Sequence, residues 1–273
     1  MIRLAVFGQP VAQSLSPRIH GLFADQFGLD IDYRAIEATP ETFTHLVSEL
    51  AASGGRGCNV TVPFKNAAWR LARRCSQDAD RAEAANTLLF EKDGWFADST
   101  DGGGLVGDLQ AGLGFSLAGR RICLLGAGGA AGSVLAALLR QEPENITIAN
   151  RTAERATALA MRHADLGPVE ACALEKLRIA GPFDLVVNAT SLGHGGAAPG
   201  IRASLFAENA LCYDMNYGAA AAPLRHRCGE IGIAYSDGLG MLVGQAALSF
   251  TMWTGHAPET RSVLENLRAA PGK

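Results

Sequence analysis

The feature that most constrains the fold is the run Arg121-Ile122-Cys123-Leu124-Leu125, which passes directly into Gly126-Ala127-Gly128-Gly129-Ala130-Ala131. An apolar strand that enters G-x-G-x-x-A and continues as an uncharged helical pattern has the form of a dinucleotide-binding turn. Gly126 makes the tight turn, and Gly128 leaves the backbone open to a pyrophosphate. The small Ala131 lets a helix over roughly 129–140 pack on its strand, its free N–H groups facing the phosphates. The competing reading, a glycine-rich turn with no ligand, is disfavoured by the βαβ pattern that continues beyond it.

Around that turn the hydrophobic periodicity predicts two α/β series. Strand patterns at 2–7, 31–38 and 56–62 alternate with helical ones at 16–28, 40–52 and 64–73, and a hairpin over 87–91 and 94–98 closes the first series. Asp101-Gly102-Gly103-Gly104 reads as a hinge before a helix. Strands at 121–125, 145–149, 169–172, 184–188 and 211–214 form the second series. The expected fold is therefore α/β, an N-terminal α/β domain plus a Rossmann-type, doubly wound parallel sheet. The helical pattern at 239–253 places Leu242, Ala246, Ser249 and Trp253 on one face and is expected to return to the first domain. The domains are then 1–101 with 238–273, and 102–237. A length of 273 residues suits two domains.

Composition narrows the partners. With 24 Lys and Arg against 27 Asp and Glu, a net charge of −3 and no long basic run, the chain lacks the electrostatic footprint for nucleic acid or an anionic membrane. The 32 glycines carry no Gly-X-Y period and point instead to backbone-lined small-molecule sites. The six cysteines are widely spaced without C-x-x-C, which fits reduced thiols in the cytoplasm, and the six histidines show no metal-binding spacing. The opening run to Gly8 is too short for a secretory h-region and reads as a strand. Two uncharged stretches, 122–139 and 238–258, read as strand-turn-helix and buried helix rather than membrane spans.

At the end of the strand after the glycine turn, where an acid would bond a ribose 2'-hydroxyl, stands Asn150, followed by Arg151, Thr152 and Arg155. Guanidinium groups there suit a 2'-phosphate, so the expected cofactor is NADP. The alternative is a surface helix capped by Thr152 with solvated arginines.

The most unusual segment is Gly57-Cys58-Asn59-Val60-Thr61-Val62-Pro63-Phe64-Lys65. Period two puts Asn59 and Thr61 on one face, Pro63 stops the strand, and Lys65 opens a helix. A cation there opposes the helix dipole at a cost of about 0.3–1 kcal/mol, which suits a proton relay better than it suits stability. A solvated surface lysine is the plain alternative. Asp101, before a glycine-rich helix start, reads as an N-cap, a role that can coexist with one in a reactive site. Ser16-Pro17 reads as an N-cap with proline at N1, and Ser14 with Ser16 makes a fair carboxylate seat. Asn86 and Gln245 are amides that need partners if buried, from a polyol ligand or from a neighbouring loop carbonyl.

Taken in order, Ser14-Leu15-Ser16-Pro17, Asn59 to Lys65, Ala85-Asn86-Thr87, Thr100-Asp101-Gly102, Gly126 to Ala130, Asn150-Arg151-Thr152, Asn188-Ala189-Thr190-Ser191, Tyr213 to Tyr217 and Asp237 to Met241 resemble the shikimate dehydrogenase family over nearly the whole chain. The resemblance implies NADPH-dependent, reversible reduction of 3-dehydroshikimate to shikimate, a step toward chorismate and the aromatic amino acids. It implies Lys65 and Asp101 as the catalytic pair. Ser14, Ser16 and Tyr217 match positions on the substrate carboxylate, and Asn59, Thr61, Asn86 and Gln245 match positions near ring hydroxyls. For the cofactor it implies Gly126, Ala127, Gly128, Gly129 and Ala130 at the pyrophosphate, Asn150, Arg151, Thr152 and Arg155 at the 2'-phosphate, and Thr190, Ser191, Met215 and Gly238 on the nicotinamide side. Ser99 departs from the asparagine common before Thr-Asp-Gly, and Ala84-Ala85 are small beside Asn86. A paralogue acting on quinate or an amino-shikimate, a non-catalytic NADP-binding regulator, and a monomer or homodimer stay open at this point.

Overall fold

The computed structural model describes residues 1–269, the side chains of residues 178 and 179 excepted. It divides into two units, Met1–Gly104 together with the chain from Leu242, and Leu105–Met241. The division falls inside helices rather than at 101/102 and 237/238, because Asp101–Gly107 and Leu239–Thr254 are each one continuous helix that begins in one unit and ends in the other. Residues 270–273 of the expected C-terminal segment lie outside the described residues.

The strands of the first unit are β1 (Ile2–Gly8), β2 (Ile31–Glu37), β3 (Gly57–Val60), β4 (Arg74–Cys75), β5 (Thr87–Leu89) and β6 (Phe96–Asp98). Its helices are α1 (Ser16–Phe27), α2 (Phe43–Ala52), α3 (Lys65–Leu71), α4 (Gln77–Ala82) and α5 (Asp101–Gly107). The strands form one six-stranded sheet in the order β2-β1-β3-β5-β6-β4. β1 pairs in parallel with β2 and β3, whereas β5 runs antiparallel to β3 and β6. α1 shows how the sequence makes these elements. Ile19, His20, Phe23 and Ala24 fall on one helical face and are buried, and the chain leaves the helix at Gly28, whose φ of 61° suits glycine. Burying Ile19 and Phe23 contributes about 1.5–3 kcal/mol each. Ser16 is the first helical residue, not the cap; Leu15 holds the cap position without a side-chain bond, and the Ser16 N–H donates to Ser14 Oγ at 3.2 Å. β3 stops at Val60 rather than running to 62, just short of the Thr61-Val62-Pro63 turn.

The second unit carries β7 (Arg121–Leu125), α6 (Gly129–Leu139), β8 (Asn145–Asn150), α7 (Ala153–His163), β9 (Val169–Ala173), β10 (Phe183–Asn188), β11 (Phe206–Asp214), α8 (Ala222–Glu230) and β12 (Ala234–Ser236). These six strands form an all-parallel sheet, β12-β11-β10-β7-β8-β9. Period two assigns its two faces. Ile122 and Leu124 of β7 and Leu185 and Val187 of β10 enter one core, while Cys123, Leu125 and Val186 enter the other. α9 (Leu239–Thr254) and α10 (Arg261–Ala269) complete the described residues. No helix among the described residues is long and apolar enough to cross a membrane.

The glycines at 102–104 are helical rather than a flexible hinge preceding a helix. They serve close packing, since a Cβ on Gly103 would meet Leu248 Cδ1 at 2.7 Å and one on Gly244 would meet Gly104 Cα at 3.2 Å.

Candidate active site

Lys65 is the first residue of α3 and Asp101 the first of α5, and the Lys65 Nζ lies 2.5 Å from Asp101 Oδ2. Both side chains are largely shielded, 21% and 10% exposed, which keeps the pair in a medium where the charges act on each other with little screening. The Asp101 oxygens go to Lys65 and to Asn86, not to first-turn N–H groups, so the carboxylate is not a simple cap.

Asn86 sits at the centre of a buried polar cluster. Its Oδ1 accepts from the Thr100 N–H at 2.9 Å, a group that can only donate, which fixes which end of the amide is nitrogen. Nδ2 then donates to Asp101 Oδ1 at 2.9 Å, Thr100 Oγ1 at 2.9 Å and Gln245 Oε1 at 3.0 Å. Gln245, on α9, also donates to Leu242 O at 2.8 Å, a carbonyl of its own helix rather than of a loop. The Asn59 Nδ2 donates to Asn86 O at 3.0 Å, Thr87 Oγ1 at 3.1 Å and Ser249 Oγ at 3.0 Å. Both asparagines therefore spend their N–H groups inside the protein. Thr61 follows β3, and its Cγ2 presses on Gly8, where an added Cβ would lie 2.4 Å away. Ser14 is half-buried and Ser16 buried at the start of α1. Hydrogen bonds thus join Asn59, Lys65, Asn86, Asp101 and Gln245 in one network of the first unit, and Ser14, Ser16 and Thr61 lie in the same unit. Tyr217 belongs to the second unit, where burial raises the pKa of its phenol.

The second unit supplies the dinucleotide features. Gly126 has φ 107°, and a Cβ there would meet Ala189 O at 3.1 Å, so the turn after β7 needs glycine. Gly128 and Gly129 have nothing within 4 Å of an added Cβ, and α6 begins there with no side-chain cap, leaving its first N–H groups and the space before them to a ligand. Ala127 is half-buried and Ala130 exposed at the same turn. Asn150 ends β8, and its Nδ2 donates to Thr152 O at 2.9 Å. Thr152 takes the cap position of α7 but makes no side-chain cap bond, and Arg151, Thr152 and Arg155 are all exposed. Exposed guanidinium groups beside an unacidic strand end fit a cofactor that carries an extra phosphate.

β10 and β11 end level with β7, with Asn188 opposite Leu125 on one side and Asp214 on the other. That is the switch point of the strand order, where open parallel sheets bind ligands. A network holds the residues expected on the nicotinamide side. Asn188 Nδ2 donates to Asp214 Oδ1 at 2.9 Å, and Thr190 donates through both N and Oγ1 to Asn188 Oδ1. Asn216 Nδ2 donates to Asp214 Oδ1 at 2.8 Å and to Thr190 O at 3.1 Å, and the Gly238 N–H donates to Asn216 O at 2.9 Å. Gly238 lies so close to Met215 O that a Cβ would come within 2.4 Å. Burial raises the Asp214 pKa against the lowering effect of these donors. Ser191 precedes a short 3-10 turn, Leu192–Gly195. Sequence reasoning gave no role to Asn188, Asp214 or Asn216; the signal was a polar side chain ending each of two apolar strands.

Comparison with known proteins agrees with this geometry. Family models match at residues 6–88 (shikimate dehydrogenase substrate binding domain), 109–195 (shikimate / quinate 5-dehydrogenase) and 238–268 (shikimate 5'-dehydrogenase C-terminal domain). The chain is 46% identical over 270 residues to a shikimate dehydrogenase (NADP(+)) of Methylococcus capsulatus, covering 98% of this chain and 96% of that one. It is 48% identical over 266 residues to one of Dechloromonas aromatica, covering 97% and 96%. Among solved structures, an Ael1 enzyme from Pseudomonas putida aligns with a TM-score of 0.93 at 39% identity over 100% of both chains. The shikimate 5-dehydrogenase of Thermus thermophilus in complex with shikimate aligns at 0.85 with 35% identity over 98% of each. With the strand order, the glycine turn and the Lys65–Asp101 contact in place, the chain belongs to the shikimate dehydrogenase family.

Proposed function

We propose that this chain is an NADP-dependent shikimate dehydrogenase that reversibly reduces 3-dehydroshikimate to shikimate, a step toward the aromatic amino acids. The observation that carries the reading is the direct contact of Lys65 with Asp101 at the joined starts of α3 and α5. The first unit is the substrate-binding and catalytic domain, and the second holds the dinucleotide.

Bound NADPH supplies a hydride to the carbonyl carbon. The carbonyl oxygen then gains negative charge and needs a proton, which the Lys65 ammonium is placed to donate; in the oxidative direction the Lys65 amine takes the proton of the substrate hydroxyl. Asp101 accepts a hydrogen bond from the Lys65 Nζ and orients it, and Asn86 in turn holds the second Asp101 oxygen. Ser14 and Ser16 provide hydroxyl donors for the substrate carboxylate, and Asn59, Thr61 and Gln245 face its ring hydroxyls. Gly126 to Ala130 hold the pyrophosphate, Asn150, Arg151, Thr152 and Arg155 the 2'-phosphate, and Thr190, Ser191, Met215 and Gly238 the nicotinamide. The cysteines are all unpaired, in keeping with a reducing cytoplasm.

The test is the absorbance change on mixing the protein with NADP+ and shikimate, repeated with quinate and with NAD+. Shikimate with NADP+ is expected to give the highest kcat/KM. A higher value with quinate makes the chain a quinate enzyme, and tight NADP+ binding without turnover makes it a binding protein.

A further inference from the structure

Tyr33 holds the oxygen end of the Asn59 carboxamide. Its hydroxyl donates to Asn59 Oδ1 at 2.7 Å. At the other end of that amide stands the backbone carbonyl of Asn86, 3.0 Å from Nδ2, and a carbonyl can only accept. The nitrogen must face Asn86 O and the oxygen must face β2. With both N–H groups shared among Asn86 O, Thr87 and Ser249, one polar valence of Asn59 is unspent, the second lone pair of Oδ1.

The tyrosine is itself held. Its ring lies flat on His20, with centroids 4.3 Å apart and planes 9° from parallel. His20 is 0% exposed among Phe23, Phe250 and Trp253, and neither ring nitrogen has a hydrogen-bond partner. Burying an unbonded imidazole costs stability, so the ring acts here as a flat wall for Tyr33. Burial holds the Tyr33 pKa well above its ordinary value, so the phenol stays a donor, and the Ser16 hydroxyl opposes that shift from the α1 side.

We propose that Tyr33 is a positioning residue that locks the Asn59 carboxamide with its oxygen available, so that this subsite accepts a hydrogen bond from a substrate ring hydroxyl and offers none in return. The inference rests on the shikimate reading of the site. A ring position bearing hydrogen, or an oxygen that cannot donate, is then disfavoured, because the second lone pair of Oδ1 is left unpaired.

The experiment is Tyr33→Phe, which keeps the stacked ring and removes one oxygen. KM is measured for shikimate and for the two mono-deoxy shikimates that retain the oxidised carbinol. The expected result is a rise of about tenfold in the shikimate KM, a kcat within about threefold of wild type, and no further rise for the analogue that lacks the hydroxyl facing Asn59. NADP+ affinity should be unchanged, since the nucleotide residues lie in the other unit. An unchanged shikimate KM, a loss confined to kcat, or equal losses for all three substrates overturns the proposal. If the wild type does not oxidise shikimate, the activity reading falls, and the positioning is judged by NMR. The Asn59 side-chain amide resonances shift in Tyr33→Phe if the phenol holds the amide and stay in place if it does not.

Discussion

Asp101 gives one carboxylate oxygen to Lys65 and the other to Asn86, at 2.5 and 2.9 Å. The carboxylate is therefore held from both sides, and its direction is set by an amide whose own orientation follows from the Thr100 N–H. A carboxylate fixed in this way loses its aim when the supporting amide is removed, even though the amide takes no proton itself.

Asn86→Ala should therefore lower kcat by about 10- to 100-fold and also destabilise the fold by about 1–3 kcal/mol, because the buried Thr100 N–H and Asp101 Oδ1 lose a partner. Steady-state kinetics with thermal unfolding checks both. An unchanged kcat in a folded variant removes Asn86 from the support of Asp101.

Replacing Arg151 and Arg155 together by alanine should raise the Kd for NADPH by about tenfold or more while leaving that for NADH within about threefold, if the exposed guanidinium groups take the extra phosphate as proposed. Fluorescence titration of both nucleotides measures this, and equal weakening of the two contradicts the assignment.

His20 makes the fold acid-sensitive. Burial lowers its pKa to about 3, while the Asn59 side chain opposes this weakly and forms no hydrogen bond to the ring. Above pH about 6.5 the ring is neutral in both folded and unfolded chains and contributes no pH dependence. Below that value the unfolded chain takes up a proton that the folded one refuses, so stability falls as the pH drops toward 3. The loss from this group should reach about 2 kcal/mol between pH 7 and pH 5. Urea unfolding at the two pH values should show a smaller difference for His20→Phe than for the wild type; the same difference in both would mean that His20 is not the source.

What the sequence reveals and what it conceals follow from the range of the interactions involved. The turn after β7 is legible because one strand, one glycine conformation and one helix start all lie within a dozen residues. The partners of Asn86 are not, since they come from β6–α5 and from α9, far along the chain. β12 is a three-residue edge strand between Gly232 and Asp237, too short for alternation to register. β11 begins at Phe206, five residues before its clear pattern, because Glu208 and Asn209 interrupt the apolar run and Asn209 sits at φ 58°. The glycines after Asp101 have the composition of a hinge, and only the facing α9 backbone explains why they are helical. Asn188 and Asp214 stand in the sequence as the polar ends of two separate apolar strands, and only the parallel pairing sets them side by side.

The central claim is that the Lys65–Asp101 pair carries the proton of a ketone–alcohol interconversion. It is tested most directly by the kinetics of Lys65→Ala with shikimate and NADP+, alongside the binding of both ligands. The account predicts a kcat lower by a factor of about 100 or more with KM changed only modestly. A kcat equal to that of the wild type, in a protein that still binds shikimate and NADP+, would contradict it.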